Sequence, residues 1–315
     1  MSRTLTIAVL AGIASGAFFI APMFGTILGM LLINFTHLPL FLVGLGLGTA
    51  AASVSVAAGS VLVGAAAGFG PLVSFAVVFG VPVILVTRQA LLSRAIDGGD
   101  AEWYPPGRVL SLLVGYGIVT FLVVYTTMAG REIGLVGEME ITLSQIFAML
   151  APQLTDEQRQ IAANQWATML PAALVASWLV TLAINSAIAQ RILVRMGANR
   201  RPSLDLGQIR MPMAFSYAIL ASGALWLFAD GQAGFIGQTL TIIFAAAYLF
   251  MGLAVVHHVS RPWPGRSLAL TFFYMLLLFL LGLPGFALVA GLGLADQLIG
   301  LRQRFTTAGP DKEDD

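Results

Sequence analysis

The chain has 315 residues, of which 58% are hydrophobic and only 10% charged, and its mean hydropathy is +0.90. These values exclude a soluble globular domain and make lipid the solvent. The balance of 16 Lys and Arg against 15 Asp and Glu, with no basic patch interleaved with aromatics, excludes nucleic acid as a partner. With no cysteine, disulfides, thiolate metal sites and iron–sulfur clusters are excluded as well.

In chain order, the first apolar stretch covers 5–35. It follows Arg3 as a signal peptide would, but it runs on past the length of any such apolar region. As one helix it would be ~45 Å long, more than a ~30 Å hydrocarbon core needs, and Ala21-Pro22-Met23 supplies a breaker near its centre. Crossing-length apolar segments follow at about 40–63, 70–87, 109–129, 168–189, 213–229 and 233–256. The last stretch, 267–300, is again too long for one crossing (~50 Å) and carries the breaker Gly282-Leu283-Pro284-Gly285. The expected fold is therefore all-α, a polytopic transmembrane helix bundle of about eight spans, within roughly seven to ten, whose first and last stretches are broken helices or hairpins of half-helices. One integral membrane domain over 1–300 and a polar cytoplasmic tail over 301–315 complete the plan.

Arginine places the connections. Residues 88–108 carry Arg88, Arg94 and Arg108, residues 191–212 carry five arginines and 257–266 carry Arg261 and Arg266, so these belong inside. The 131–165 connection holds two arginines against the acids Glu132, Glu138, Glu140, Asp156 and Glu157, and belongs outside. Alternation through the six middle spans agrees, and the expected location is the bacterial cytoplasmic (inner) membrane. Arg3, Arg302 and Arg304 favour cytoplasmic termini, which requires each broken stretch to form a hairpin. In 131–165, Ile141, Ile146, Phe147 and Leu150 recur at near-helical spacing, and Thr155 to Gln158 reads as a capping box. The pattern predicts two amphipathic helical pieces on the outer membrane surface, serving either as a lid over an outward cavity or as interfacial packing.

Two kinds of stripe carry functional expectations. Ala8, Gly12 and Gly16 are spaced to let another helix approach closely and are candidates for docking a partner; Gly25 with Gly29, Gly44 with Gly48 and Gly64 with Gly68 suit internal packing. Ser177, Thr181 and Asn185 share one helix face, and Asn185, with two donors and two acceptor sites to satisfy in lipid, is the leading candidate for contact with a solute. Trp166 could floor a ligand site or belong to the interfacial aromatic belt. The six middle spans contain no Asp, Glu, Lys or Arg, with Asp230 and Asp296 at span ends, so a carboxylate proton relay or a voltage sensor has no material there. His257 and His258, adjacent on a helix, diverge too far to share one metal and suit interfacial anchoring. No zinc-protease pair, phosphate-binding glycine loop or serine elbow occurs. The expectation is no enzyme, no catalytic residue, no metal and no cofactor.

Several passages together resemble the YybS-like family of bacterial membrane proteins. They are Leu38-Pro39-Leu40 leading into a glycine-rich span, the Pro171 helix running through Asn185 to Arg191-Ile192-Leu193-Val194-Arg195-Met196-Gly197, and the closing Gly293, Asp296 and Arg302. That family is distantly similar to the substrate-binding S components of energy-coupling-factor transporters and to MreD-type morphogenetic proteins. The first similarity implies that the Ala8, Gly12, Gly16 stripe is the counterpart of a stripe that docks an energising transporter module, although this chain has more spans and no recognisable vitamin-binding motif. Two readings follow. One is a substrate-binding or permease-like component for a small, mostly uncharged solute. The other is a membrane scaffold or assembly factor that docks other membrane proteins through glycine-rich helix faces.

Overall fold

A computed structural model describes residues 2–95, 101–202 and 209–307. Among them, eight helical segments are long and apolar enough to cross a membrane: Arg3–Phe24, Ile27–Leu47, Thr49–Ala67, Phe69–Ala90, Pro106–Met128, Leu170–Arg195, Gly231–Val259 and Arg266–Ile299. A ninth apolar helix, Met213–Phe228, is shorter. The protein is an all-α polytopic bundle whose lipid-facing side chains remain uncovered, as at Phe24 (74% exposed), Ile27 (80%), Phe228 (87%) and Phe279 (82%). Such surfaces are stable only against hydrocarbon. The chain divides into two compact units, Met1–Val109 with Val180–Asp205, and Leu110–Leu179 with Leu206–Asp315.

In the first unit, Ser2 caps α1 (Arg3–Ile20), which tightens into a 3-10 turn over Ala21–Phe24 where Pro22 lacks a donor. Gly25 turns the chain at φ +64°, and Thr26 caps α2 (Ile27–Leu32). A second 3-10 turn, Ile33–Phe35, interrupts this second span before α3 (His37–Leu47). The first apolar stretch is thus broken as expected, but its second limb continues to Leu47. The expected span 40–63 is not one helix. Gly48, at φ +107° and ψ 173°, reverses the chain in a single residue between α3 and α4 (Thr49–Ala67), and Gly68, at φ +92°, does so again before α5 (Phe69–Ser74). Only glycine reaches these angles without strain. A π-helical turn, Phe75–Gly80, joins α5 to α6 (Val81–Ala90). The pairings Gly64 with Leu72, Gly59 with Phe75 and Val56 with Gly80 show that α4 runs antiparallel to the α5–α6 segment.

The arginine-bearing end of this unit is pinned by Arg201. Its buried guanidinium donates to Ala90 O (3.1 Å) and Tyr104 O (3.2 Å) and lies 5.8 Å from the centre of the Trp103 ring, while Gln190 Nε2 donates to Arg201 O. One side chain therefore joins the end of α6 to the short hairpin of β1 (Ser93–Arg94) and β2 (Glu102–Trp103). Burial pushes the guanidinium below its ordinary pKa.

The second unit contains most of α7 (Pro106–Met128), the pair α8 (Gly134–Leu150) and α9 (Asp156–Ala167), and the start of α10 (Leu170–Arg195). It also holds α11 (Met213–Phe228), α12 (Gly231–Val259), α13 (Arg266–Met275), α14 (Gly282–Ile299) and α15 (Leu301–Thr307). The expected capping box is present: Thr155 Oγ1 accepts from Gln158 N, and Gln158 Oε1 accepts from Thr155 N. The α8–α9 pair closes on Leu143, Ala163 and Ala167 and leaves Met149, Leu150 and Ile161 exposed. The axis is α12, 56% of whose apolar window is buried against 22% for Arg266–Ile299. It runs antiparallel to α11, with Ser222 meeting Thr241 (3.1 Å) and Ser216 meeting Tyr248 (2.8 Å).

The last apolar stretch folds back on itself. Gly282 takes φ +50° and ψ −134°, and the side chain of Leu277 comes within 3.0 Å of where a Cβ on Gly285 would stand. Eight residues on a straight helix rise ~12 Å, so such an approach requires a reversal. The far ends agree. Gln297 Nε2 donates to Met211 O (2.7 Å) and Arg302 Nη2 to Ile209 O (2.9 Å), which puts the end of α14 beside the start of α11 and hence level with the end of α12. Helix α14 therefore runs parallel to α12, and the π turn Leu276–Leu281 with α13 forms the returning limb. The contact is close: a Cβ on Gly252 would overlap Val289 O, and one on Gly293 would overlap Tyr248 O.

Candidate functional site

The interruption of the second span is where polar groups gather in the first unit. A 3-10 turn at Ile33–Phe35 cannot satisfy every carbonyl of an α-helix, and in lipid no water does so instead. Two side chains from other helices meet the need. Ser15 Oγ on α1 donates to Thr36 O (2.6 Å), and Asn185 Nδ2 on α10 donates to Asn34 O (2.8 Å) and to Thr181 O (2.8 Å). Ser15, Thr36, His37 and Asn185 are all at least 98% buried.

The other polar atoms of the cluster are not satisfied. Thr36 Oγ1, both ring nitrogens of His37 and Asn185 Oδ1 are buried without a hydrogen-bond partner. The His37 ring packs on Phe79, 4.7 Å between centroids, beside the Val78 main chain. Both residues belong to the π turn Phe75–Gly80, a helical irregularity that recurs at functional positions. Phe19, Phe75 and Phe79 form an aromatic wall in edge-to-face and stacked contacts. His37 stands at the centre of the span Ile27–Leu47, so imidazole, hydroxyl and carboxamide converge on one interruption halfway along that span. Each unpaired buried group costs roughly 1–3 kcal/mol, and broken helices at the midplane are where transporters hold solutes.

The residues singled out in the sequence fall in different places. Asn185 and Thr181 lie at the cluster, Thr181 through its carbonyl. Ser177, two turns earlier on α10, is exposed and bonds only back to Leu174 O (3.0 Å). Trp166, 48% exposed on α9, belongs to the second unit. The Ala8, Gly12, Gly16 stripe is occupied within the chain: Ser55 Oγ donates to Ala8 O (2.7 Å), a Cβ on Gly12 would overlap Ser55 O, and one on Gly16 would come within 3.0 Å of Gly59 O. Its small residues bring α1 onto α4, and a partner helix could use the stripe only by displacing α4. His257, expected as an anchor, pairs through Nε2 with Tyr274 Oη (2.8 Å).

Sequence reasoning missed His37, Thr36, Asn34 and Ser15. A signal existed, because Asn34-Phe35-Thr36-His37 is a polar cluster inside a crossing-length apolar run. Dividing that run into 5–35 and 40–63 made the same residues read as a connection. Among the described residues, no group of three or more His, Asp or Glu is arranged to hold a metal.

No curated protein and no solved structure matches the chain. Residues 13–297 match a family described as predicted membrane protein (DUF2232), a range that includes Ser15, the interrupted span, Asn185 and Asp296. The chain, with its polytopic apolar helices, is a multi-pass membrane protein and belongs to the DUF2232 family of predicted membrane proteins.

Proposed function

We propose that this protein is a permease-like or substrate-binding component of the bacterial cytoplasmic membrane, which takes a small, mostly uncharged solute at the interrupted second span and acts by binding rather than by covalent chemistry. The observation that carries the reading is the set of unpaired buried atoms, Thr36 Oγ1, His37 Nδ1 and Nε2, and Asn185 Oδ1, around one helix interruption. A fold that served only packing would gain stability by removing the polar atoms that have no partner, as at Thr36 and His37. Two acceptor oxygens and an imidazole that can donate or accept suit a neutral ligand bearing hydroxyl or amide groups. The resemblance to the YybS-like family, and through it to S components of energy-coupling-factor transporters, supports the same reading, and in such an arrangement a separate membrane module would supply the energy.

The test is a thermal-shift screen of the purified protein against neutral metabolites and vitamins. A solute at about 100 times its Kd stabilises the folded state by about 2.7 kcal/mol. Wild type should show such a shift with at least one compound, and Asn185→Leu, still monodisperse, should lose it. A shift that survives Asn185→Leu contradicts the assignment of the site.

A further inference from the structure

Helices α8 and α9 are not among the segments that cross the membrane, yet both ends of the pair are tied to segments that do. Residues 129–133 join the end of α7 to α8, and residues 168–169 join α9 to α10. Arg131 N donates to Met128 O (3.0 Å) and Met169 N to Trp166 O (3.1 Å), so both connections are tight turns. Leu170, the first residue of α10, packs on the Leu143, Ala163 and Ala167 seam of the pair. Two residues reach at most ~7 Å, so the pair is held at the level where a span begins. From there α8, 17 residues long, extends ~25 Å. Such a pair can stand out into water or lie on the bilayer, and the polarity of its surface decides between them.

The two helices differ in what they expose. Helix α8 leaves Ile141, Ile146, Met149 (76%) and Leu150 (78%) uncovered, with the heaviest exposure at the tip of the pair. Helix α9 exposes Asp156, Glu157, Gln160 and Gln165, and Ile161 and Trp166 are its exposed large apolar side chains. Water is a poor solvent for four large aliphatic groups on one short helix, whereas the boundary between headgroups and acyl chains, which the connections hold within reach, is a good one. We propose that α8 lies in the surface of the lipid bilayer, with Met149 and Leu150 among the acyl chains and α9 on its water side. Thr142 and Gln145, also exposed on α8, suit headgroup depth rather than the bilayer centre. Trp166, two turns of chain from the start of α10, then belongs to the interfacial aromatic belt.

The chain has no cysteine, so Leu150→Cys and Gln160→Cys each accept a single nitroxide label without further change. The experiment is electron paramagnetic resonance power saturation of each labelled full-length protein in vesicles of phosphatidylethanolamine and phosphatidylglycerol. Oxygen, which concentrates in hydrocarbon, and a nickel chelate, which stays in water, serve as collision reagents. The ratio of oxygen to nickel collisions should be several-fold higher at residue 150 than at residue 160. Met149→Cys should behave as Leu150→Cys does, and it supplies the reading if the first variant fails to fold. Equal ratios on the two helices put α8 in water and overturn the proposal. Low collision with both reagents at 149 and 150 also overturns it, because protein rather than lipid then covers the tip, as a lid closed on the bundle or a docked partner would require.

Discussion

The two units distribute their unpaired polar groups differently. In the second, Ser216 pairs with Tyr248, Ser222 with Thr241, and Asp296 with Arg302 through both carboxylate oxygens, while Arg266 Nε and Gln297 Oε1 are left buried without a partner. In the first, Thr36, His37 and Asn185 are buried as deeply, yet each keeps at least one unpaired atom, and all three surround one broken helix. Both units have the means to bring helices into close contact, Gly12 and Gly16 against α4 in one and Gly252 with Gly293 at the α12–α14 crossing in the other. The unsatisfied groups of the first unit are therefore not the residue of poor packing. Their cost is concentrated where a small molecule could recover it, which is the pattern of a site held open at the expense of stability.

The comparison can be broken at several points. The largest effect is expected from Gly12→Leu, whose side chain would meet the Ser55 main chain; the protein should fail to accumulate as a monodisperse species in size-exclusion chromatography. Recovery of folded protein that had only lost an associated membrane protein would show instead that the stripe serves docking. Next is Asp296→Asn, which removes the carboxylate charge that the buried Arg302 guanidinium contacts. It should lower stability by roughly 3–5 kcal/mol in denaturant titration, against no more than about 1 kcal/mol if the pair behaved as a surface one. The smallest effect has the opposite sign. Thr36→Val removes a hydroxyl that has no partner and should raise stability by about 1 kcal/mol while weakening any solute-dependent thermal shift. A loss of stability there would mean that the hydroxyl has a structural role.

Much of the architecture was legible from hydropathy, because a bilayer imposes length and composition together. The expected spans 109–129, 213–229 and 233–256 lie within a few residues of Pro106–Met128, Met213–Phe228 and Gly231–Val259. Local chemistry was readable too, as the Thr155–Gln158 box and the Gly282 break show. The break at Gly68 falls between the expected spans 40–63 and 70–87, but the reversal at Gly48 was harder, because it needs only one glycine and no polar loop, so an apolarity window passes through Gly48 and joins α3 to α4. That mis-joined span hid His37. Asn185 could be picked out because a carboxamide in lipid must find partners, but its partner Asn34 lies 151 residues away, and no local pattern connects them. Nor does spacing reveal whether a small-residue stripe serves the chain's own helices: Ala8, Gly12 and Gly16 would look the same if α4 were another protein.

The most direct measurement is native mass spectrometry of wild type and Asn185→Leu, each purified in mild detergent from the same cells. The proposed site predicts a small-molecule mass retained by wild type and missing from a variant that remains folded. Wild type without any such mass, or an identical mass on both proteins, would contradict the claim that the interrupted span and Asn185 form a solute site.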